Sequence, residues 1–189
     1  HIREKDGLWA ALAWMSILMK ANEDESSQAF VSVRDIVSKH WAKYGRHFYC
    51  RYDYEGVDSD AANKVMDLIR KDFVGGDLSS VPDADGSGIR LVRAEEFSYT
   101  DPVDGSKASK QGLIFSFEYS NGDRARVVFR LSGTGSAGAT IRVYLEKYEP
   151  DTAKHDMAAP TALQSLADRA IRLVTIEELT GRDAPTVIT

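Results

Sequence analysis

Leu113-Ile114-Phe115-Ser116-Phe117-Glu118-Tyr119-Ser120-Asn121-Gly122-Asp123-Arg124-Ala125-Arg126-Val127-Val128-Phe129 is the stretch that decides the fold. Leu113, Phe115, Phe117 and Tyr119 alternate with Ile114, Ser116 and Glu118, a period of two that fits a half-buried strand. Asn121-Gly122 supplies the left-handed positions of a tight hairpin turn, and Ala125, Val127 and Phe129 run back along the partner strand. Working outward, Ile89-Arg90-Leu91-Val92-Arg93 predicts a strand before this hairpin. Ile141 to Tyr148, with Ile141, Val143 and Leu145 inward, predicts a fourth strand after it.

Helical spacing frames the strands. From about Ser59 to Phe73, Ala62, Val65, Met66 and Ile69 share one face, and Gly75-Gly76 ends the helix. A long helix starts near Pro160, a residue suited to a first turn, carries Leu163, Leu166, Ala167, Ala170, Leu173 and Val174 as its stripe, and closes at Gly181. Upstream, Ser32 with Asp35 forms a capping-box pattern ahead of Val33, Ile36, Val37, His40, Trp41 and Tyr44, and Gly45 supplies a stop. Leu8 to Met19 reads as a helix apolar on nearly all sides, which needs partners all round it, so Trp9 and Trp14 are expected as buried packing. Residues 22–28 and 77–88 are polar or glycine-rich and are expected as loops. The order α-β-β-β-β-α predicts an α+β fold, a mainly antiparallel four-stranded sheet with packed helices. The Leu8–Met19 helix is expected to be left over from an upstream α/β domain.

Composition excludes several classes. Of 189 residues 43% are hydrophobic and 28% charged, which is neither disordered nor low-complexity. A net charge of -5 gives no reason to expect nucleic acid as a partner, because phosphate backbones are bound by basic faces. Cys50 is the single cysteine, so there is no internal disulfide and no zinc spacing, and no metal-ligand set is expected in this chain. The longest apolar run, about 12 residues, is too short to span a bilayer. The start, His1-Ile2-Arg3-Glu4-Lys5-Asp6-Gly7, is dense in charge and holds no signal peptide or initiator Met, so the chain is expected to begin inside a larger protein. A cytoplasmic protein without membrane partner is the expectation.

Chemistry concentrates in Arg130-Leu131-Ser132-Gly133-Thr134-Gly135-Ser136-Ala137-Gly138-Ala139-Thr140-Ile141-Arg142. Its glycines allow successive N–H groups to converge on one point, and Ser132, Thr134 and Ser136 add hydroxyl donors. Arg130 and Arg142 bracket the segment. On antiparallel neighbours both guanidiniums would lie near its mouth, each charge-assisted phosphate contact contributing about 1.5–3 kcal/mol. A phosphate cradle is the leading reading, and a glycine-rich turn with ordinary surface arginines is the bland one. Gly133-Thr134-Gly135-Ser136-Ala137-Gly138 also matches the dinucleotide pattern G-x-G-x-x-G. That pattern needs a following helix, whereas Thr140, Ile141, Val143 and Tyr144 are strand formers.

Arg130 to Arg142 closely resembles the phosphate-binding loop in the C-terminal domain of the phosphoglucomutases of the α-D-phosphohexomutase family. The resemblance extends, in order, through His1–Ala10, Tyr44-Gly45-Arg46, Arg51-Tyr52-Asp53-Tyr54-Glu55, Ala62-Asn63-Lys64, Asp101-Pro102-Val103-Asp104-Gly105-Ser106 and Ala184–Thr189. It implies a TATA-binding-protein-like C-terminal domain over 46–189, with 1–45 as the end of an upstream sugar-binding domain and a linking helix. The family interconverts glucose 1-phosphate and glucose 6-phosphate through glucose 1,6-bisphosphate. It uses an upstream phosphoserine and an upstream Mg2+, and the fourth domain holds the phosphate that is not reacting. This chain contains no T-A-S-H-type phosphoserine loop and no D-G-D-x-D-R-type metal loop, so alone it is expected to be inactive. Asp83-Ala84-Asp85-Gly86 and Asp101–Gly105 are turn chemistry.

Carried over residue by residue, the resemblance implies phosphosugar binding by Arg130, Ser132, Gly133, Thr134, Gly135, Ser136 and Arg142. It adds Lys5 as a substrate-binding charge, with proton transfer as its second role, and Arg51 as either a ligand contact or a structural ion pair. His40, on the apolar stripe of its helix beside Trp41, is read as a structural residue, and His47 and His155 have no metal-ligand spacing. The expected partners are a phosphosugar and the upstream domains of the same protein. The alternative is a non-catalytic phosphosugar-binding or scaffold relative of the family.

Overall fold

Alternation and capping account for most of the observed elements. The computed structural model describes residues 5–23, 29–81, 86–135 and 138–189, with Ser80, Thr134 and Gly135 described by their backbone alone. The chain divides into two compact units: residues up to Arg46 with Pro150–His155, and His47–Glu149 with Asp156–Thr189.

The first unit holds two helices, α1 (Gly7–Ala21) and α2 (Val33–Tyr44). Asp6 caps α1 by accepting from the Trp9 amide at 2.8 Å. Asn22 ends it, donating to the carbonyls of Leu18 and Val31 and accepting from the Val31 amide at 2.8 Å, which ties the returning chain to the helix end. The Ser32–Asp35 capping box is present in both directions and Gly45 is the C-cap, as their spacing predicts. Arg46 stacks its guanidinium over Trp41 at 4.2 Å and donates to the His155 carbonyl. The packing expected for the tryptophans of α1 is not made by the described residues: Trp9 is 56% and Trp14 39% exposed, and no residue of α1 is buried. A helix apolar all round buries only where apolar surface meets every side, and the first unit offers none of that extent.

The second unit is an α+β sandwich of helices on one face of a sheet. Strands β1 (Arg46–Val57), β2 (Ile89–Thr100), β3 (Lys107–Tyr119), β4 (Arg124–Gly135), β5 (Gly138–Glu149) and β6 (Val187–Ile188) lie in the order β2-β3-β4-β5-β1-β6. The pairs β2–β3, β3–β4, β4–β5 and β1–β6 are antiparallel. Six strands replace the expected four. The missed β1 buries Phe48, Cys50, Tyr52 and Tyr54 on one face, but Tyr49 on the other breaks the apolar-polar alternation that would have marked it. β6 is two residues long and exists through pairing of Ile188 with Tyr52 and Val187 with Asp53, a long-range contact that local pattern does not carry.

Against the inner face pack α3 (Ser59–Asp72) and α4 (Ala159–Leu173), and α5 (Ile176–Thr180) packs against α3. Ala62, Val65, Met66 and Ile69 are the buried residues of α3, as their spacing predicts. The expected single C-terminal helix is two. The chain turns at Thr175, whose φ is +48°, so that Val174 and Ile176 are both fully buried, and Gly181 (φ +69°) caps α5. The β3–β4 turn differs in detail too. Gly122 alone takes positive φ (+86°), and Tyr119 pairs with Asp123 around a three-residue loop.

Phe115 centres the core, edge-on to Phe73 at 5.2 Å, Phe129 at 5.3 Å and Phe117 at 6.1 Å. Phe115→Ala removes a fully buried ring with three aromatic neighbours, and denaturant unfolding should show a loss of about 3–5 kcal/mol. Phe97→Ala, at a half-exposed position, should cost under about 1 kcal/mol in the same assay.

Burial pushes the Tyr54 and Tyr119 phenols up to about 12. The neutral phenols are therefore favoured by folding. Above the unfolded value near 10 the unfolded chain binds fewer protons than the folded one, so stability falls with rising pH until about 12. Unfolding midpoints measured across that window should decline, and Tyr54→Phe should make the decline shallower.

Candidate functional site

The glycine-rich segment singled out above is mostly strand. β4 runs through Gly135 and β5 resumes at Gly138, so Arg130–Arg142 is the distal half of a long β-hairpin rather than an open loop. Its register pairs Arg130 with Arg142, Leu131 with Ile141, Ser132 with Thr140, Thr134 with Ala139 and Gly135 with Gly138. An irregularity falls between Ser132 and Thr134, where Gly133 takes φ +67°, a bulge conformation that glycine adopts without steric cost. Ser136 and Ala137, at the tip, lie outside the described residues.

Pairing decides which face each side chain takes. Phe129, Ile141 and Val143 are buried in the core, so Arg130 and Arg142 stand side by side on the opposite, outer face. Gly112 on β3 provides room beside them: a Cβ there would come within 3.1 Å of Val128 and 3.3 Å of the Arg130 stem. At the far end, Gly138 (φ +89°) lets the hairpin approach the end of β1, since a Cβ there would lie 3.0 Å from the Val57 carbonyl oxygen. Neither glycine has a local signature, because each answers a neighbour distant in sequence.

β1 contributes Arg51 and Asp53 to the same outer face. Arg51 donates from Nε to Asp53 Oδ1 at 2.8 Å, and Arg142 Nε lies 3.7 Å from Asp53 Oδ2. Of the two roles read for Arg51, the ion pair is present in the structure. Sequence reasoning passed over Asp53. Its signal was the string Arg51-Tyr52-Asp53-Tyr54, in which a carboxylate shares strand parity with an arginine. Arg51 also lines a groove of about 430 Å³ with Tyr49, Arg126, Tyr144 and Thr189. Arg126 is committed to Glu146, which is also 3.0 Å from His47 Nδ1. Arg130 is exposed and has no carboxylate partner among the described residues. The outer face therefore carries positive charge at the hairpin that its own carboxylates do not neutralise, an arrangement suited to a phosphate dianion.

Lys5 belongs to the first unit, exposed just ahead of the α1 cap. Among the described residues no group of three or more His, Cys, Asp or Glu is gathered as for a metal ion. In the turn 101–105, Asp101 accepts from the Val103 amide at 2.7 Å. Asp104 accepts from the Ser106 amide at 2.8 Å, and hydrogen bonding from the Ser106 side chain, then from its amide, holds the Asp104 carboxyl below the usual range. Asp83 and Asp85 lie outside the described residues. Cys50 faces the core, where burial pushes its thiol up and away from reactivity. No described helix is long and apolar enough to cross a membrane.

Comparison with known proteins identifies the family of the chain. The family model for the C-terminal domain of phosphoglucomutase-1 matches residues 46–186. The chloroplastic phosphoglucomutase of Solanum tuberosum is 53% identical over 190 residues, covering all of this chain and 29% of that protein. The cytoplasmic phosphoglucomutase of Bromus inermis is 50% identical over 192 residues, covering all of this chain and 32% of that protein. Likeness thus does not separate cytoplasm from plastid. The open-form crystal structure of parafusin, a phosphoglucomutase from Paramecium, superimposes with a TM-score of 0.78 at 41% identity, covering all of this chain and 30% of that one. The chain spans under a third of the length of these relatives. It belongs to the phosphoglucomutase family, and it corresponds to the C-terminal portion of those enzymes.

Proposed function

We propose that this chain is the phosphate-gripping end of a phosphoglucomutase. The full-length enzyme interconverts glucose 1-phosphate and glucose 6-phosphate through glucose 1,6-bisphosphate, and this portion holds the phosphate that is not being transferred. The carrying observation is the side-by-side pair Arg130 and Arg142 on the outer face, at the mouth of a hairpin that needs Gly133 and Gly138 to take its shape. Two permanent charges on adjacent strands match a phosphate dianion. Ser132 beside Arg130 can add a hydroxyl donor, and Thr134, Gly135 and Ser136 are proposed as further ligands on the resemblance alone.

In this reading catalysis is shared between portions of one protein. Phosphoryl transfer needs little covalent chemistry from the residues that hold the substrate, so a fixed grip on one phosphate contributes by presenting the other end of the sugar to the reacting group. Lys5 is proposed as a second substrate contact. Mg2+ would neutralise charge on the transferred phosphoryl group. Its ligands are assigned to the upstream part of the enzyme, because Asp53, the buried carboxylate of this outer face, is already committed to two guanidiniums. Residues 1–45 are assigned to the end of the upstream sugar-binding domain and its linking helix. The exposed apolar surface of α1 supports this.

A backbone-amide NMR titration of the chain with glucose 1-phosphate tests the grip. One phosphate on two arginines and a few amides should bind with Kd roughly millimolar, about -4 kcal/mol, with saturable shifts confined to Arg130–Arg142. Arg142→Ala should weaken binding at least about tenfold, since a charged hydrogen bond is worth about 1.5–3 kcal/mol. Equal affinity in that variant, or a folded wild type without shifts, would sink the assignment.

A further inference from the structure

Asp53 is 3% exposed although it stands on the outer face of its strand. Buried carboxylates persist where cations and hydrogen bonds compensate them, so the partners explain its presence. Arg51 comes from the same strand and Arg142 from the neighbouring one, and each turns its Nε edge toward a different oxygen of the one carboxylate. The Arg142 Nε is shielded from solvent and has no hydrogen-bond partner among the described residues. The Arg142 side chain as a whole is 38% exposed, so its accessible surface lies away from Nε. A small rotation of that guanidinium closes the 3.7 Å separation to a hydrogen bond.

We propose that Asp53 is a positioning residue of the phosphate grip: it fixes the Nε edges of Arg142 and Arg51 so that their terminal nitrogens are presented outward. The proposal rests on the phosphate reading of the hairpin. A guanidinium is a rigid planar fork, and a carboxylate on one edge sets the direction of the other. A side chain ordered in advance loses less freedom when the ligand arrives. The carboxylate also repels an incoming phosphate, so two effects compete. Two guanidiniums against one carboxylate leave a net positive charge, and Arg130 adds another without a carboxylate partner. Repulsion is therefore largely cancelled, and orientation is the larger effect.

Asp53→Asn keeps the shape and removes the charge that both Nε groups face. Titration with glucose 1-phosphate should show affinity reduced about tenfold. The Arg142 Nε–H should exchange with solvent at least about tenfold faster, while the β1–β6 amides keep their protection. Unchanged or tighter binding in Asp53→Asn overturns the proposal and leaves the phosphate reading standing. Loss of β1–β6 protection along with affinity also overturns it, since Asp53 would then be holding the strand. A wild type that gives no shifts in the hairpin overturns the phosphate reading and this proposal together. Should the variant not fold, the wild type alone decides through the Nε–H exchange rates of Arg142 and the exposed Arg124. Slower exchange at Arg142 by about tenfold supports the proposal, and equal rates overturn it.

Discussion

The register of β4 against β5 is the constraint on which the candidate site depends. Pairing Arg130 with Arg142 places Phe129 and Val143 in the core and both guanidiniums on the outer face. A slip of one residue on either strand would carry an arginine into the packing around Phe115 and a large apolar side chain into solvent. Burial of Ile141, Val143, Phe129 and Val127, each at 0–1% exposure, therefore fixes the site as firmly as it fixes the fold. The glycine bulge at Gly133 comes after Arg130 along β4, so the irregular part of the hairpin begins once the register has been set.

The second constraint is the position of β1 between β5 and β6. It brings Arg51 and Asp53 to the outer face opposite the buried Tyr52 and Tyr54, whose phenols burial holds neutral. The C-terminal segment secures this strand. Thr189 exchanges both backbone hydrogen bonds with Arg51, and Thr186 bonds the carbonyl of Asp53 through its amide and its hydroxyl, each at 2.8 Å. Arg182 donates to the Gly56 carbonyl at 3.0 Å further along. The last residues of the chain thus steady the strand that carries the carboxylate, and the glycine hairpin meets the end of that same strand at Val57.

Where a feature was written in local periodicity, it was legible in the sequence. The period of two over Leu113–Tyr119, the stripe Ala62-Val65-Met66-Ile69 and the Ser32–Asp35 box each depend on residues a few positions apart, and all are present. β6, the break at Thr175 and the roles of Gly112 and Gly138 depend on neighbours distant in sequence, and none was visible. The candidate site divided in the same way. Arg130 and Arg142 were conspicuous because they bracket a glycine run. Asp53 was not, because a lone carboxylate in Arg51-Tyr52-Asp53-Tyr54 resembles any surface acid until the sheet places Arg142 beside it. The glycine run was misread in one respect: a segment that looked like an open cradle is paired backbone up to Gly135 and from Gly138.

That last difference bears on how a phosphate could be held. In an open loop, several consecutive N–H groups would be free for a ligand. In a hairpin paired this far, most inward N–H groups are used in the ladder, so binding falls more heavily on side chains. On the phosphate reading, positive charge on the outer face would then set affinity, and its geometry selectivity. Arginine suits this because its charge is permanent and its planar fork can be oriented from behind. A grip built from two aimed guanidiniums on a rigid sheet can bind a phosphate weakly and still direct it. Under the proposed reading, in which a bisphosphate reorients between two transfers, that combination serves better than tight enclosure, since excess ground-state binding would slow the reorientation.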